Sequence, residues 1–434
     1  MNKPVNANQE FQSDFLSVTE ARTAISAVIH SIQAQARLHE AIESLPLKEC
    51  LGRILASDVL SPINVPANDN SAMDGFAFNG KELDAAQDPV NLRIAGAIYA
   101  GQTHSPSIQM GECIKVMTGA MMPPNCDTVI PQEFTKSSEE GSITFAKDTV
   151  RAGDNRRLCG EDLQAGKPAI QRGRILKASD IGLAASLGIA KLEVYQRIKV
   201  AILSSGDELC SIGVPLQPGK IYDSNRFSLH ACLSKLGFEI IDCGIVRDTP
   251  DDLRQAFMQA AQKADVIISS GGVSVGEADF TKQIMEELGQ VGFWKIAMRP
   301  GRPMAFGSLK PVSPKTAPTV FFGLPGNPVA VMVTFYQFVR NALLQLNGAL
   351  NPEIPLVSIQ SAEAIRKKSG RTEFQRGILF RDPEGRLLVK STGSQGAGIL
   401  RSMSEADCFM ILHHHQGNIA PGDWVDVEIF DGLL

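Results

Sequence analysis

The stretch GGVSVGEADF at residues 271–280 combines glycines, which suit a phosphate-binding loop, with acidic side chains, which repel phosphate. It follows the apolar run ADVIISS, which is typical of a buried strand. Glycines let the backbone approach a ligand closely, so that successive amide groups can point at an oxyanion. A tight turn between a strand and a helix explains the same glycines. The loop alone therefore leaves two alternatives, a phosphate site and a plain turn.

Acidic residues also follow the other predicted strands of this region. Asp207 and Glu208 follow IKVAILSS, Asp248 follows FEIIDCGIV, and Glu277 and Asp279 lie within the glycine-rich loop. Carboxylates beside a phosphate require a cation, and Mg²⁺ commonly bridges one or two carboxylates to substrate phosphates. Each acid could instead cap a helix or lie in a solvated turn, and Asp248, which precedes TPDDL, fits a cap best. Together these acids predict a site for metal and phosphate.

Basic residues form a second cluster nearby in the sequence. Lys295, Arg299 and Arg302 lie in the stretch WKIAMRPGRPMAFG, where two prolines and apolar neighbours favour a fixed turn over scattered surface charge. The planar guanidinium group of Arg matches a tetrahedral oxyanion. The stretch GLPGNPV at 323–329 follows another strand and precedes a helix, and Pro328 suits the first helical turn. A ligand-binding loop and a plain connection both explain it.

The elements that must position these loops form a multidomain α/β plus β protein. Strands and helices alternate over 196–347, which predicts a central α/β domain with a mainly parallel sheet. Ligands bind such sheets at the carboxyl ends of the strands, where the acidic and glycine-rich loops fall. Short strands predict a small C-terminal β domain, similar to a barrel, over 355–431. A β-rich domain over 56–159 is predicted to be inserted into a discontinuous helical and linker domain, 14–55 and 160–195.

Composition excludes several classes of function. The chain has 434 residues, a net charge of -5 and a pI near 5.9, which disfavours a general surface for nucleic acid or anionic membranes. We find no signal sequence and no apolar stretch long enough to span a bilayer. The 8 cysteines form no CxxC pair and suit a reducing compartment. We expect a cytoplasmic protein that binds neither nucleic acid nor membranes.

Ordered motifs along the chain resemble those of the molybdopterin molybdenumtransferase family, which includes the E domain of gephyrin. The resemblance runs from about Ser17 to Ile429. Its motifs include DNSAMDGFA (69–77), MTGAMMP (117–123), GED (160–162), SSGDEL (204–209), YDSNR (222–226), IVRDTPD (245–251), SSGGVSVGEADFTK (269–282), RPGRPMAFG (299–307), GLPGNPV (323–329) and FQRG (374–377). Ten ordered motifs of this kind make coincidence implausible.

The resemblance implies an activity and a set of partners. The implied reaction is the Mg²⁺-dependent insertion of molybdate into adenylylated molybdopterin, which releases AMP and forms the molybdenum-molybdopterin cofactor. The resemblance also implies a homodimer whose active sites lie at the subunit boundary, and a transient contact with molybdopterin adenylyltransferase. Molybdate is a substrate in this reaction, whereas Mg²⁺ is the cofactor.

The same resemblance implies a role for each residue that matches a functional position of a family motif. The acidic residues expected to hold the metal are Glu208, Asp248 and Asp279. Further catalytic positions lie in the β-rich region and at its border, at Asp74, Thr118 and Asp162. The substrate-binding positions are Gly271, Gly272, Ser274, Gly276, Pro325 and Pro328. The molybdate-binding positions are Lys295, Arg299, Arg302, Pro303 and Arg376.

The chain departs from the family pattern mainly in the molybdate pocket. Many relatives have Lys at the positions of Arg299 and Arg302, and Ser at those of Ala330 and Ala397. The charge is kept, but two hydroxyl donors are missing. A hydrogen bond to a charged group contributes about 1.5–3 kcal/mol, so we expect weaker binding of molybdate or an altered preference among oxyanions, tungstate included.

Two other classes of function compete with the transferase. A molybdopterin adenylyltransferase or a competence-damage pyrophosphatase would resemble only the α/β domain, and the motifs on both sides of it argue against such an enzyme. A non-catalytic scaffold is the second alternative, because the gephyrin E domain also anchors receptor peptides. Separate acidic and cationic loops argue against scaffolding alone.

Overall fold

The computed structural model of the protein describes residues 15–36, 41–102, 107–138, 141–271, 280–313, 315 and 317–430. These residues fall into two compact units. The larger unit takes its described residues from Met1–Ala56, Gly173–Lys177 and Glu193–Leu434. The smaller unit comprises the described residues of Ser57–Arg172 and Ala178–Leu192.

Helices and strands alternate along most of the described chain. The helices are α1 (Val18–Ala36), α2 (Glu82–Ala85), α3 (Ala178–Ser186), α4 (Asn225–Lys235), α5 (Pro250–Lys263), α6 (Phe280–Leu288), α7 (Pro328–Thr334), α8 (Arg340–Leu346) and α9 (Arg401–Ser404), with a π-helix at Phe335–Val339 and 3₁₀ turns at Leu47–Glu49, Gln132–Phe134 and Lys147–Thr149. The strands are β1 (Ile42–Pro46), β2 (Val59–Leu60), β3 (Asn70–Ser71), β4 (Gly75–Phe78), β5 (Val90–Ile98), β6 (Glu112–Val116), β7 (Thr128–Pro131), β8 (Lys136–Ser137), β9 (Ser142–Phe145), β10 (Arg156–Arg157), β11 (Pro168–Ile170), β12 (Lys191–Tyr195), β13 (Lys199–Ser205), β14 (Leu209–Cys210), β15 (Ile221–Tyr222), β16 (Glu239–Val246), β17 (Val266–Ser270), β18 (Gly289–Lys295), β19 (Met298–Arg299), β20 (Pro303–Leu309), β21 (Thr319–Leu324), β22 (Val357–Ser361), β23 (Thr372–Arg381), β24 (Leu387–Ser391), β25 (Cys408–Leu412) and β26 (Trp424–Ile429).

The central sheet of the larger unit has 6 strands in the order β16-β13-β17-β21-β20-β18. The first four are parallel, whereas β20 is antiparallel to both of its neighbours. Alternate residues of β13 enter different cores: Val200 and Ile202 pack with α4 on one face, and Ala201 and Leu203 pack with α5 on the other. Burial on both faces explains the continuous apolar runs of these strands. The predicted mainly parallel α/β domain is confirmed.

A long helical run supports one face of this sheet. It extends over Pro328–Leu346 through α7, the π-helix and α8, and α1 packs against α8. By length and composition alone this run could cross a membrane, which corrects the expectation that no stretch is long enough. However, 72% of its apolar window is buried in the structure, as in the core helix of a globular domain.

The C-terminal strands close into a barrel. They pair in the order β23-β24-β22-β26-β25, and β25 pairs in turn with β23. Closure leaves no free edge among these strands, and their inner side chains form a separate apolar core that includes Val389, Met410 and Val427. The predicted barrel is confirmed.

The smaller unit contains a mixed sheet of 6 strands in the order β7-β4-β6-β5-β9-β8. Two apolar cores lie on its two faces, because alternate residues of β4 point to opposite sides. Phe76 and Phe78 enter one core and Ala77 enters the other. This sheet accounts for the predicted β-rich insertion, so the fold class combines an α/β domain, an inserted β-rich part and a C-terminal barrel.

Candidate active site

A cavity of about 1210 Å³ opens at the carboxyl ends of the parallel strands in the larger unit. Its walls come from the segments that follow β13, β17 and β21, from the turn at 298–303, and from the barrel loop at 395–400. A ligand pocket at this edge is the expected arrangement for a parallel α/β sheet. The sheet therefore brings together loops that are far apart in the sequence.

Most of the predicted metal, substrate and oxyanion residues line this cavity. They are Glu208, Asp248, Gly271, Arg299, Arg302, Pro303, Pro325 and Pro328. Lys295 is exposed at the end of β18 and is not part of the lining, and Arg376 is almost fully buried beside the loop that contributes Gln395 and Ala397. Five positions of the glycine-rich loop lie outside the described residues, namely Gly272, Ser274, Gly276, Glu277 and Asp279.

The acidic part of the cavity contains Glu208 and Asp248, with Asp207 nearby. Burial raises the pKa of the Asp248 carboxyl, and the negative charges of Asp207 and Glu208 raise it further. The alternative that Asp248 caps α5 is excluded, because Thr249 is the cap and its hydroxyl oxygen accepts a bond of 3.3 Å from the amide of Asp252. The Asp248 carboxylate thus remains available for a cation.

The chemistry of these donors fits Mg²⁺. Carboxylate oxygens are the ligands that Mg²⁺ prefers, and one or two of them usually suffice when substrate phosphates complete the coordination. Among the described residues, no group of three or more His, Cys, Asp or Glu side chains could hold a metal ion. A metal at Glu208 and Asp248 would therefore take further ligands from a bound substrate or from the loop that contains Asp279.

The cationic part of the site depends on Arg376, a side chain that is 1% exposed. Its Nε donates to the hydroxyl of Ser402 at 3.0 Å and its Nη2 to the carbonyl of Gly396 at 3.2 Å. Burial and the nearby charge of Arg299 lower the pKa of Arg376 to about 10. Within the described part of the chain, no carboxylate forms an ion pair with Arg376. The site thus holds a buried positive charge that has no carboxylate counter-ion among the described residues.

A short strand pairing holds the two arginines together. Strand β19 pairs in parallel with β23 of the barrel, so that Arg299 lies opposite Glu373 and Arg376 follows on the same barrel strand. The amide of Thr372 also donates to the carbonyl of Ala297 at 2.9 Å. The α/β domain and the barrel therefore each contribute one part of the cationic wall.

Comparison with known proteins identifies the family. Residues 16–188 match the family model described as MoeA N-terminal region (domain I and II), residues 201–345 match probable molybdopterin binding domain, and residues 358–430 match MoeA C-terminal region (domain IV). Molybdopterin molybdenumtransferase from Haemophilus influenzae is 42% identical over 393 residues, which cover 90% of this chain and 95% of that protein. The chain belongs to the molybdopterin molybdenumtransferase family.

Other relatives agree with this assignment. Molybdopterin molybdenumtransferase from a Nostoc species is 36% identical and covers 83% of this chain and 82% of its own length. Gephyrin from Dictyostelium discoideum is 28% identical over 89% of this chain and 59% of its own length. A crystal structure of the molybdopterin biosynthesis MoeA protein from Pyrococcus horikoshii, at 25% identity, has a TM-score of 0.75 and covers 96% of this chain and all of that one.

Two alanines that the sequence analysis singled out lie in the cavity wall of this molybdopterin molybdenumtransferase family member. Ala330, in α7, and Ala397, in the barrel loop, both line the cavity. Their segments are joined directly, because the amide of Val329 donates to the carbonyl of Ala397 at 3.0 Å. At the two positions where the family resemblance led us to expect hydroxyl groups, the cavity is lined by alanines.

The structure adds polar residues that the sequence analysis did not single out. Asn225, from the YDSNR motif, donates through Nδ2 to the Ser270 hydroxyl and to the Gly326 carbonyl, each at 2.8 Å. Among the described residues, neither Oδ1 of Asn225 nor the buried Ser205 hydroxyl has a hydrogen-bond partner. Both residues line the cavity, where a ligand or water can satisfy them. The YDSNR motif was the available signal.

The remaining predicted residues of the family site lie in the smaller unit. Oδ1 of Asp74 accepts bonds from the amide and the hydroxyl of Thr118, each at 2.7 Å, and these bonds, the amide bond first, lower the pKa of Asp74. Asp162 is exposed in the turn that precedes β11. The structure thus brings Asp74 and Thr118 into direct contact.

Gly301 provides a first test of the cationic turn. It has a φ of +97°, and an added Cβ would lie 2.7 Å from Cγ2 of Thr334. We expect Gly301→Ala to lower the free energy of unfolding by about 1–3 kcal/mol. Alanine rarely adopts this positive φ, and its Cβ would lie too close to the Thr334 side chain. Urea unfolding measures this change. Gly326→Ala, whose Cβ would meet nothing within 4 Å, is the control from the same cavity and should unfold like the wild type.

Asp248 provides a second test. Its raised pKa means that ionising this carboxyl destabilises the folded protein as the pH rises through that pKa. We expect Asp248→Asn, without added Mg²⁺, to increase the free energy of unfolding at neutral pH and to lose this advantage as the pH falls below the raised pKa. Denaturant unfolding between about pH 4 and 7 measures the difference.

The control for this test is Asp148→Asn, which changes an exposed carboxyl in the smaller unit. An equal pH-dependent gain in that variant, or no gain in Asp248→Asn, would contradict the assigned electrostatic environment of Asp248.

Proposed function

We propose that this protein inserts the molybdenum of molybdate into molybdopterin, with adenylylated molybdopterin as the substrate and AMP as the second product. One observation carries the proposal. A single cavity has an acidic end at Glu208 and Asp248 and a cationic wall at Arg299 and Arg302, with the buried Arg376 charge beside it. The family relatives named molybdopterin molybdenumtransferase support the same reaction.

The cationic wall is suited to molybdate. Molybdate is a tetrahedral dianion, and guanidinium groups offer paired donors to such an oxyanion. Arg376 is held in place before the ligand arrives, so binding does not require the ordering of a long flexible side chain. In our proposal Arg299, Arg302 and Arg376 hold molybdate next to the dithiolene sulfurs of molybdopterin, while Pro325 and Pro328 shape the loop that contacts the substrate.

The acidic end is suited to the phosphates of the substrate. In our proposal Glu208, Asp248 and Asp279 hold Mg²⁺, which would supply positive charge to the phosphoanhydride that is cleaved. Asn225 and Ser205 are placed to donate or accept hydrogen bonds at the same end of the cavity. The backbone near Gly271, which has a φ of +90°, can approach the substrate closely.

The proposed compartment, oligomeric state and partner protein are inferred from the family. We propose that the protein works in the cytoplasm as a homodimer and receives its substrate through transient contact with a molybdopterin adenylyltransferase. The 8 cysteines are all free thiols in the structure, which suits a reducing compartment. Asp74, Thr118 and Asp162 would then serve the reaction from the smaller unit, at an active site shared between subunits.

The methyl groups of Ala330 and Ala397 affect the choice of oxyanion. Without the two hydroxyl donors of many relatives, recognition depends mainly on the guanidinium charges. We propose that the site therefore discriminates weakly between molybdate and tungstate, which share charge and tetrahedral shape.

An assay of AMP release tests the proposed reaction. Purified protein is incubated with adenylylated molybdopterin, Mg²⁺ and molybdate, and AMP is quantified by chromatography. We expect AMP release that requires molybdate, stops when EDTA removes Mg²⁺, and returns when Mg²⁺ is added in excess. Intact substrate with no molybdate-dependent AMP would refute the transferase.

Arg376 is the residue whose removal should separate binding from turnover. We expect Arg376→Ala to raise the molybdate concentration for half-maximal AMP release roughly 10- to 100-fold, with a smaller effect at saturating molybdate. Arg386→Ala removes an exposed guanidinium of the same barrel, paired with Asp382, and should leave the molybdate dependence unchanged. Equal effects of the two variants would argue against an oxyanion role for Arg376.

A further inference from the structure

Arg376 is the buried arginine of the described barrel residues, and the hydrogen-bond acceptors of its guanidinium are all neutral. Its Nε donates to the Ser402 hydroxyl at 3.0 Å, and its Nη2 donates to the Gly396 carbonyl at 3.2 Å. Arg371, on the same barrel strand region, is held instead by the carboxylate of Glu373, at 2.7 Å. The barrel thus pairs Arg371, which lines the cavity, with a carboxylate, and leaves the buried charge of Arg376 without a carboxylate partner among the described residues.

We propose that Ser402 is a positioning residue for the oxyanion: its hydroxyl fixes the Arg376 guanidinium through a neutral acceptor and leaves the positive charge available to a tetrahedral dianion. This inference rests on the proposed function and identifies what orients the residue that would bind molybdate. A carboxylate in the place of Ser402 would hold the guanidinium equally well but would satisfy its charge.

The orientation of the Ser402 hydroxyl is determined by the structure. Ser402 is 3% exposed in α9, and its O–H donates to the carbonyl of Ile399 at 2.7 Å. A hydroxyl has a single hydrogen to donate, so its lone pairs remain for Nε of Arg376. The hydroxyl therefore accepts from the guanidinium in a fixed direction and cannot rotate without losing the bond to Ile399.

Gln395 fixes the backbone of the same arginine. The amide of Arg376 donates to Oε1 of Gln395 at 2.8 Å, and Nε2 of Gln395 donates back to the carbonyl of Arg376 at 3.2 Å. With Nε and Nη2 also engaged, Nη1 is the remaining guanidinium nitrogen, and it has no acceptor among the described residues. The N–H groups of Nη1 therefore remain to donate hydrogen bonds to a ligand.

Gln395 also connects this arrangement to the cavity. It lines the cavity together with Ala397 and Leu400, the residues on either side of the turn that leads into α9. The loop that carries these residues therefore both bounds the ligand space and holds the guanidinium. Ser402 acts from behind this loop and does not belong to the cavity wall.

The test uses two substitutions of Ser402 and a matched control in the full-length protein. Ser402→Ala removes the acceptor, and Ser402→Thr keeps a hydroxyl. Ser361→Ala is the control, because Ser361 is a barrel serine, 1% exposed, whose hydroxyl donates to the Glu363 carbonyl at 2.8 Å but does not contact an arginine. Equilibrium dialysis measures molybdate binding without the pterin substrate, and AMP release measures turnover.

We expect Ser402→Ala to weaken molybdate binding about tenfold, and to raise the molybdate concentration for half-maximal AMP release by the same factor with little change at saturation. Ser402→Thr should restore binding to near the wild-type value. Ser361→Ala should lower the melting temperature by a similar amount to Ser402→Ala but bind molybdate like the wild type. A merely structural role of Ser402 predicts equal behaviour of the two alanine variants.

The outcomes separate this inference from the proposed reaction. Wild-type molybdate binding in Ser402→Ala, or equal weakening in Ser402→Ala and Ser361→Ala, overturns the positioning role whatever the AMP assay shows. Tenfold weaker binding in Ser402→Ala without any molybdate-dependent AMP release from the wild type supports the positioning role and refutes the transferase. Absence of molybdate binding by the wild type overturns the positioning role as well.

Discussion

The pairing of the two-residue strand Met298–Arg299 with the barrel strand Thr372–Arg381 is the contact on which the candidate site depends. It places a turn of the α/β domain against Thr372 and Glu373, the first residues of this barrel strand, so that the positive charges of Arg299 and Arg376 lie close enough to perturb each other. Neither domain alone could build this wall. The central sheet supplies the acidic end of the cavity, and the strand pairing fixes its distance from the cationic end.

At a second contact between the α/β domain and the barrel, buried charges of opposite sign lie close together. Arg22 of α1 donates to the backbone and side chain of Gln337, and Gln337 donates to the Glu428 carboxylate at 3.1 Å. Burial lowers the pKa of Arg22 and raises that of Glu428, but each charge faces an opposite one in this cluster. Gln337 lies in the π-helix, whose wider turn interrupts the regular helix at this contact. Buried charge is compensated here, whereas at Arg376 it is not.

The sequence predicted what depends on local pattern and strand order. Apolar runs and alternating helices place the acids of 207–208 and Asp248 at one sheet edge, and the structure shows Glu208 and Asp248 in the cavity lining. It could not predict Ser402, because a serine in a short helix acquires its role from an arginine 26 positions away across the barrel. Asn225 was within reach of the sequence through its YDSNR motif, but its contacts with Ser270 and Gly326 depend on the fold. A cap at Asp248 stayed open as an alternative to a metal ligand because Asp and Thr have similar capping ability, and only the structure shows that the cap is the next residue, Thr249.

The uncompensated charge of Arg376 has a consequence for the lifetime of the protein. Repulsion between Arg299 and Arg376 persists in the folded state until an anion lies between them. Any dianion that binds there removes this repulsion and favours the folded state over the unfolded one in proportion to its concentration. If molybdate is that dianion, as we propose, resistance to unfolding and to proteolysis rises with its concentration.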